Sequence, residues 1–273
     1  MKVALVDNGS LEPAAHESLR WAAAAIAKKA ETPVEAVSWK HSDRIPPGTL
    51  GGAPAWTLAP WLRARVAEGE REFVFVPFFI SPQGAIGSLL RGDIEKLREE
   101  TGGFEYTFTR GLDADPTLAA IVVDRLLDAA AEKGLRRPPV VVVDHGGPSA
   151  ASSAVRDRVT DAVRLRLNGA LGVVAAASME SPGTPGADFS RPLLADALAA
   201  SGFDSGDVLI APLFLSPGRH AGPAGDLARI ARAAEARSPA LRCHFAGLVG
   251  SHAAAIECLS FGLLQALSIG APP

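Results

Sequence analysis

Short, uninterrupted apolar runs alternate with longer amphipathic stretches along the whole chain. Runs at 3–7, 34–38, 73–80 and 104–109 predict strands, and runs at 139–144, 171–177, 207–215 and 241–246 predict a second set. They are continuous and Val-rich instead of alternating apolar with polar, the pattern of strands buried on both faces. Between them, apolar residues at helical spacing predict helices, for example over 13–30, 149–167 and 224–237. Strands alternating with helices imply parallel sheets covered by helices. The expected class is α/β.

The order of runs is written twice. Val3-Ala-Leu-Val-Asp-Asn-Gly-Ser10 lines up with Val140-Val-Val-Val-Asp-His-Gly-Gly147 at an offset of 137. Pro77-Phe-Phe-Ile-Ser-Pro82 lines up with Pro212-Leu-Phe-Leu-Ser-Pro217 at 135, and Gly111-Leu112 with Gly247-Leu248 at 136. A period of this size is a domain, not a solenoid repeat. The turn-forming stretch Gly134-Leu-Arg-Arg-Pro-Pro139 marks the seam. The expected organisation is two tandem domains, 1–136 and 137–273, each a four-stranded parallel sheet flanked by helices.

Composition narrows the classes of function. At 273 residues, 48% of them hydrophobic and 21% charged, the chain can build its own cores. A net charge of -3 leaves no basic field to recruit nucleic acid. The opening apolar run, Val3 to Val6, is too short for a secretory leader, and no run approaches the roughly 18 residues of a membrane helix. Two cysteines, Cys243 and Cys258, are too few for a disulfide framework, which suits a reducing compartment. A cytoplasmic protein with no membrane partner is expected. With aromatics at 6% and one Tyr, the core is expected to consist of Ala, Val, Leu and Ile.

In an open parallel sheet, ligands bind outside the carboxyl ends of the strands. There the second half places Asp144-His145-Gly146-Gly147-Pro148 after its first run and Ser216-Pro-Gly-Arg219-His220-Ala-Gly222 after its third. Two imidazoles leaving strands at one sheet edge can hold a borderline divalent metal and accept protons. A single loop histidine is more often a solvated or capping residue, so the pair carries the reading. The first half serves as an internal control: Asn8 stands in the place of His145 and Ala85 in that of His220. The second run ends in Ser178-Met179-Glu180, where the first half has Ser38-Trp39-Lys40, so a carboxylate capable of assisting a cation is also absent there.

Competing motifs fail. Neither glycine-bearing turn forms a dinucleotide fingerprint or a P-loop, and no G-x-S-x-G elbow is present. Cys243, His244, His252 and Cys258 lack zinc-site spacing; Cys243 and His244 are expected in the last strand, and His252 as a cap or cleft residue before the final helix. His16 and His41 are expected to be solvated.

The strand ending in His-Gly, the segment Pro212-Leu-Phe-Leu-Ser-Pro-Gly-Arg-His220 and the later Gly247-Leu248 resemble the sirohydrochlorin chelatase family, the class II, ATP-independent tetrapyrrole chelatases of CbiX type in their long, two-domain form. Ser178-Met-Glu-Ser-Pro-Gly-Thr-Pro-Gly-Ala-Asp-Phe-Ser-Arg-Pro192 also resembles a stretch of the long members. The resemblance implies two tandem chelatase-like domains and an ATP-independent lyase that inserts Co²⁺, Fe²⁺ or Ni²⁺ into a sirohydrochlorin-type tetrapyrrole, in siroheme or cobalamin biosynthesis. The metal is then a substrate, and no organic cofactor is needed. It further implies His145 and His220 as metal ligands and proton acceptors and Glu180 as a catalytic acid residue. A polycarboxylate substrate calls for anion-binding groups, for which Gly146, Gly147, Arg219 and Arg191 are candidates. Asn8, Lys40 and Ala85 depart from the pattern, which argues against a second centre in the first half. A non-catalytic metal or tetrapyrrole carrier of the same fold is the alternative, and the chain is expected as a monomer or homodimer.

Overall fold

The computed structural model describes residues 1–80, 85–112, 116–147, 149–181, 183 and 187–270. Ser81 and Pro82 of the repeat anchor, Pro148, and residues 182 and 184–186 of the Ser178–Pro192 stretch lie outside them.

Two parallel sheets form. In the first, β1 (Lys2–Asp7) lies between β2 (Val34–Ser38) and β4 (Glu72–Pro77), with β3 (Trp56–Thr57) beyond β2 and β5 (Glu105–Phe108) beyond β4. In the second, β6 (Val140–Asp144) lies between β7 (Val174–Ser178) and β8 (Gly206–Pro212), with β9 (Leu241–Phe245) beyond β8. All pairings are parallel. The first sheet thus has five strands where four were expected, because the two-residue β3 is too short to leave an apolar run. Val140 to Val143 are wholly buried, which is why their run does not alternate.

The apolar runs after β4 and β8 extend beyond the strands. Each strand ends on a proline, Pro77 or Pro212, which has no N–H to continue the ladder. The next residue makes one more bond, Phe78 N–H to Val6 O and Leu213 N–H to Val143 O, both at 2.8 Å. Of the helices, α1 (Pro13–Ala30) covers its expected span, while α5 (Ala150–Leu167) and α7 (Asp226–Arg237) start one and two residues later than expected.

The chain divides into two compact units, residues 1–115 with 250–273, and residues 116–249. The first unit carries α1, α2 (Leu58–Ala67) and α3 (Ala85–Glu100), the second α5, the short α6 (Leu194–Ala197) and α7. Each unit also includes the helix that follows the other's last strand. Thus α4 (Thr117–Glu132) packs on α5 and β8 in the second, and α8 (Ala253–Gly270) on α1 and β4 in the first.

The cores differ in chemistry. The second is aliphatic around Val141, Val143, Ile210 and Leu227. The first, against the expectation of an aliphatic core, is aromatic: Trp61 meets Phe73 and Phe75 edge-to-face, Phe104 meets Phe73 likewise with ring centroids 5.0 Å apart, and Phe73 stacks with Phe75. A low overall aromatic content is compatible with this because these residues concentrate on one face of one sheet.

At the carboxyl end of each sheet the repeat reproduces one backbone device. Strand register pairs Asp7 with Ser38 and Asp144 with Ser178. The ladder then runs on for two residues: Trp39 and Met179 N–H donate to Asp7 and Asp144 O at 2.7 and 2.8 Å, and Lys40 and Glu180 N–H to Asn8 and His145 O at 3.3 and 3.1 Å. The chain turns away through Gly9 (φ +87°) or Gly146 (φ +89°), where an added Cβ would lie 1.7 or 1.8 Å from the carbonyl oxygen of Lys40 or Glu180. Only glycine fits, for both space and backbone conformation.

The polar groups beneath these turns have diverged. Arg156 on α5, 3% exposed, donates to Ser178 Oγ at 2.6 Å, and Ser178 Oγ donates to Asp144 Oδ1 at 2.6 Å. Leu19, buried on α1, occupies the place of Arg156, so Asp7 has no such cation. Asp7 Oδ1 is buried without a hydrogen bond among the described residues. Burial pushes the Asp7 carboxyl up to about 6, against hydrogen bonds from Ser38 and Gly9 N–H that pull it down. His16 is 2% exposed, not solvated as expected, because it falls on the sheet-facing stripe of α1. Its Nδ1 is 3.4 Å from Ser38 Oγ, and burial, then the charge of Arg20, lower its pKa to about 4.

Two predictions follow from this substructure. Gly146→Ala should lower the unfolding free energy by about 3 kcal/mol or more, and Gly202→Ala, equally left-handed at φ +89° but facing open space, by only about 1 kcal/mol. Denaturant unfolding of both variants checks this; equal losses would mean that the close approach to Glu180 does not constrain the chain. Asp7 holds its proton in the folded state between roughly pH 4 and 6 while the unfolded chain has lost it, so its contribution to stability falls as pH rises through that window. Asp7→Asn should therefore be more stable than the parent at pH 7, by on the order of 3 kcal/mol, and match it near pH 4. His16 acts in the opposite direction, losing stability as pH falls from about 6.5 towards 4, so the difference between variant and parent isolates Asp7. Equal stability of the two proteins at pH 7 would contradict the assignment.

Candidate functional site

The strand order reverses direction at β6, whose neighbours β7 and β8 lie on opposite sides. Loops leaving β6 and β8 at their carboxyl ends therefore flank a switch-point crevice, the place where open α/β sheets bind ligands. His145 leaves β6 and His220 follows β8. Their rings meet with centroids 4.7 Å apart at 85°, and Phe214 stands within 6.5 Å of both. Glu180 joins them through the ladder bond to His145 O, with Oε1 3.5 Å from His145 Nε2. All three residues expected from sequence to act together are therefore neighbours.

Hydrogen-bond partners set the imidazole tautomers. His145 Nδ1 is 3.0 Å from the Gly146 carbonyl oxygen, and His220 Nδ1 is 2.6 Å from Asp226 Oδ2. Both oxygens only accept, so each Nδ1 carries the proton and each neutral ring presents the Nε2 lone pair. Burial, and then the nearby His145, lower the pKa of His220, which favours its neutral form. Below the ring of His145, burial raises the pKa of Asp144 while the Ser178 hydrogen bond and the Arg156 charge oppose it; its Oδ1 also accepts from Gly146 N–H at 3.1 Å.

The cluster is open. The His145 side chain is 47% exposed and that of Glu180 57%, and a cleft of about 340 Å³ lined by Met179, Glu180, Asp226, Arg229 and Ile230 adjoins it. Among the described residues no group of three or more His, Cys, Asp or Glu is arranged to hold a metal ion. What the geometry does bring together is two imidazoles, with a carboxylate 3.5 Å from one of them, open to solvent.

The proposed anion-binding residues fare differently. Arg219 is exposed, with Nε 3.9 Å from Asp226 Oδ2. Arg191 is held by Asp196 at 2.7 Å. Gly147 is explained by packing, since a Cβ there would lie 2.2 Å from Ser152 Cβ. Sequence reasoning missed Asp226 and Arg156. The six-residue spacing from His220 to an acid in the first turn of a helix could have flagged Asp226; a buried arginine on α5 leaves no sequence signal.

The remaining motif residues fall elsewhere. Cys243 and His244 lie in β9, as expected, with His244 Nε2 2.8 Å from Asp207 Oδ1. Burial, then Glu235, pushes the Cys243 thiol up to about 12, which opposes a thiolate ligand. His252 Nδ1 accepts from Ala254 N–H at 3.2 Å at the start of α8, a capping role. In the first unit, Lys40 Nζ lies over the Trp39 ring at 3.9 Å and 3.5 Å from Asp93 Oδ2, beside a cleft of about 400 Å³. This cleft adjoins the corresponding strand end but offers a cation where the second offers Glu180.

The CbiX family model matches residues 2–129. The fold matches SirB from Bacillus subtilis with Fe³⁺ at 14% identity and a TM-score of 0.68, covering 99% of this chain and 98% of that one. It also matches the sirohydrochlorin chelatase SirB from Bacillus subtilis subspecies spizizenii in complex with cobalt (13%, TM-score 0.70, 99% and 97%). A third match is CbiX, described as the terminal enzyme for biosynthesis of siroheme in denitrifying bacteria (17%, TM-score 0.63, 97% and 99%). No curated protein matches the sequence. The family match falls on the half without the histidine pair. That half retains the buried strands and the glycine turn at the first strand end, features a family pattern can recognise without the ligands. Residues 2–129 thus match the CbiX family model, and the chain over nearly its whole length has the fold of these chelatases.

Proposed function

We propose that the chain is a sirohydrochlorin metal chelatase, inserting Co²⁺, Fe²⁺ or Ni²⁺ into a sirohydrochlorin-type tetrapyrrole without ATP or an organic cofactor. Its one metal centre lies in the second half, residues 137–273, and the first half, residues 1–136, is a degenerate copy. The observation that carries this reading is the pair of imidazoles 4.7 Å apart, each with Nδ1 hydrogen-bonded to an oxygen and Nε2 left as a donor. In this reading His145 and His220 take the metal through Nε2 and Glu180 assists. An incoming pyrrole nitrogen must displace water and lose its proton. As the metal passes to the macrocycle, the freed imidazoles accept protons, because metal and proton compete for the same lone pair. Arg219 and the amide of Gly147 receive substrate carboxylates; the amide of Gly146 does so only by releasing Asp144, and Arg191 only by releasing Asp196.

Purified protein mixed with metal-free sirohydrochlorin and each metal should accelerate the absorbance change of insertion. His145→Ala and His220→Ala should each slow it by about 100-fold or more, while Asn8→Ala leaves it nearly unchanged. No acceleration with any metal would leave a carrier as the better reading. Substantial insertion in both histidine variants would move the centre elsewhere.

A further inference from the structure

We infer that Asp226 is a positioning residue for His220, holding its imidazole so that Nε2 points to the metal; the inference rests on the functional reading above. The Asp226 carboxylate is 16% exposed and accepts the His220 Nδ1 proton at 2.6 Å. Its own placement is fixed from several sides. Asp226 N–H donates to Arg219 O and Leu227 N–H to His220 O, each at 3.1 Å, folding the loop back on the first turn of α7. Gly225 permits this fold, since a Cβ there would lie 2.6 Å from His220 O. Arg229, one turn along α7, bonds the second carboxylate oxygen. A carboxylate so held fixes both the tautomer and the ring orientation of a ligand histidine and raises its basicity.

The duplicated half supplies a control. The buried residues of α3, Leu90, Ile94 and Leu97, match Leu227, Ala231 and Ala234 of α7 at an offset of 137. The same offset places Leu89 opposite Asp226, and Leu89 is 58% exposed. The carboxylate is therefore missing from the same half that lacks both imidazoles and the glutamate. An acid in the first helical turn also stabilises a helix by itself through the macrodipole. That purely structural role does not depend on metal chemistry, yet the first turn of α3, residues 85–88, holds no acid, and Leu89 stands one turn further along.

The test is Co²⁺ titration of the full chain by calorimetry and visible absorption, beside thermal melting of the metal-free protein. Asp226→Leu should weaken Co²⁺ binding by about 10- to 100-fold and alter the cobalt spectrum. Asp226→Asn, whose amide oxygen still accepts the Nδ1 proton but carries no charge, should weaken binding several-fold with an unchanged melting temperature. Asp207→Asn, which alters the carboxylate–imidazole pair with His244 on β9 outside the site, should leave affinity within about twofold. If Asp226→Leu does not fold, Asp226→Asn decides alone. Parent-like Co²⁺ affinity in the folded Asp226 variants would overturn the inference, as would a loss in Asp207→Asn equal to that in Asp226→Leu. A parent protein whose Co²⁺ binding is indifferent to His145→Ala and His220→Ala would overturn the functional reading with it.

Discussion

The site depends on the passage of one backbone segment under another at the carboxyl end of the second sheet. Glu180 N–H bonds His145 O, and Gly146 turns the chain away so close to Glu180 O that no side chain fits between them. Two strand ends are thereby pinned, and with them the imidazole and the carboxylate they carry. His220 arrives from the other side of the switch point on a loop folded against α7. The meeting of these side chains follows from rigid sheet edges, not from side chains finding one another in solvent.

The first unit keeps the device but carries other side chains on it. Gly9 passes under Lys40 as Gly146 passes under Glu180, and the ladder bonds recur. Asn8, Lys40 and Leu89 occupy the positions of His145, Glu180 and Asp226. Below the turn, Asp7 lacks the arginine that neutralises Asp144 and is left with a neutral histidine and serines. Family recognition of this half is consistent with selection on a sheet and turn that fold stably whether or not they hold a metal.

Much of this was legible in the sequence, for identifiable reasons. Strands buried on both faces print continuous apolar runs, so eight of the strands and the repeat could be read directly, and the repeat exposed His145, His220 and Glu180 by contrast with their replacements. The alignment of Glu180 with Lys40 was loose by spacing alone; the backbone register at Asp7–Ser38 and Asp144–Ser178 makes it firm. What stayed hidden depends on partners distant in sequence. Burial of His16 and Arg156 depends on which helical face meets the sheet, β3 is too short for a pattern, and the aromatic core of the first unit is invisible in a chain-wide average. The packing of α4 and α8 on helices of the opposite repeat likewise has no local signature.

The central claim is that the two imidazoles of the second half, and nothing in the first, bind the metal. X-ray absorption at the cobalt edge of the full chain loaded with one equivalent of Co²⁺ tests it most directly. The account predicts two imidazole nitrogens with the remaining positions filled by oxygen, and loss of this signal in the His145→Ala, His220→Ala double variant. Cobalt bound through sulfur, or an imidazole signal that survives in the double variant, would contradict it.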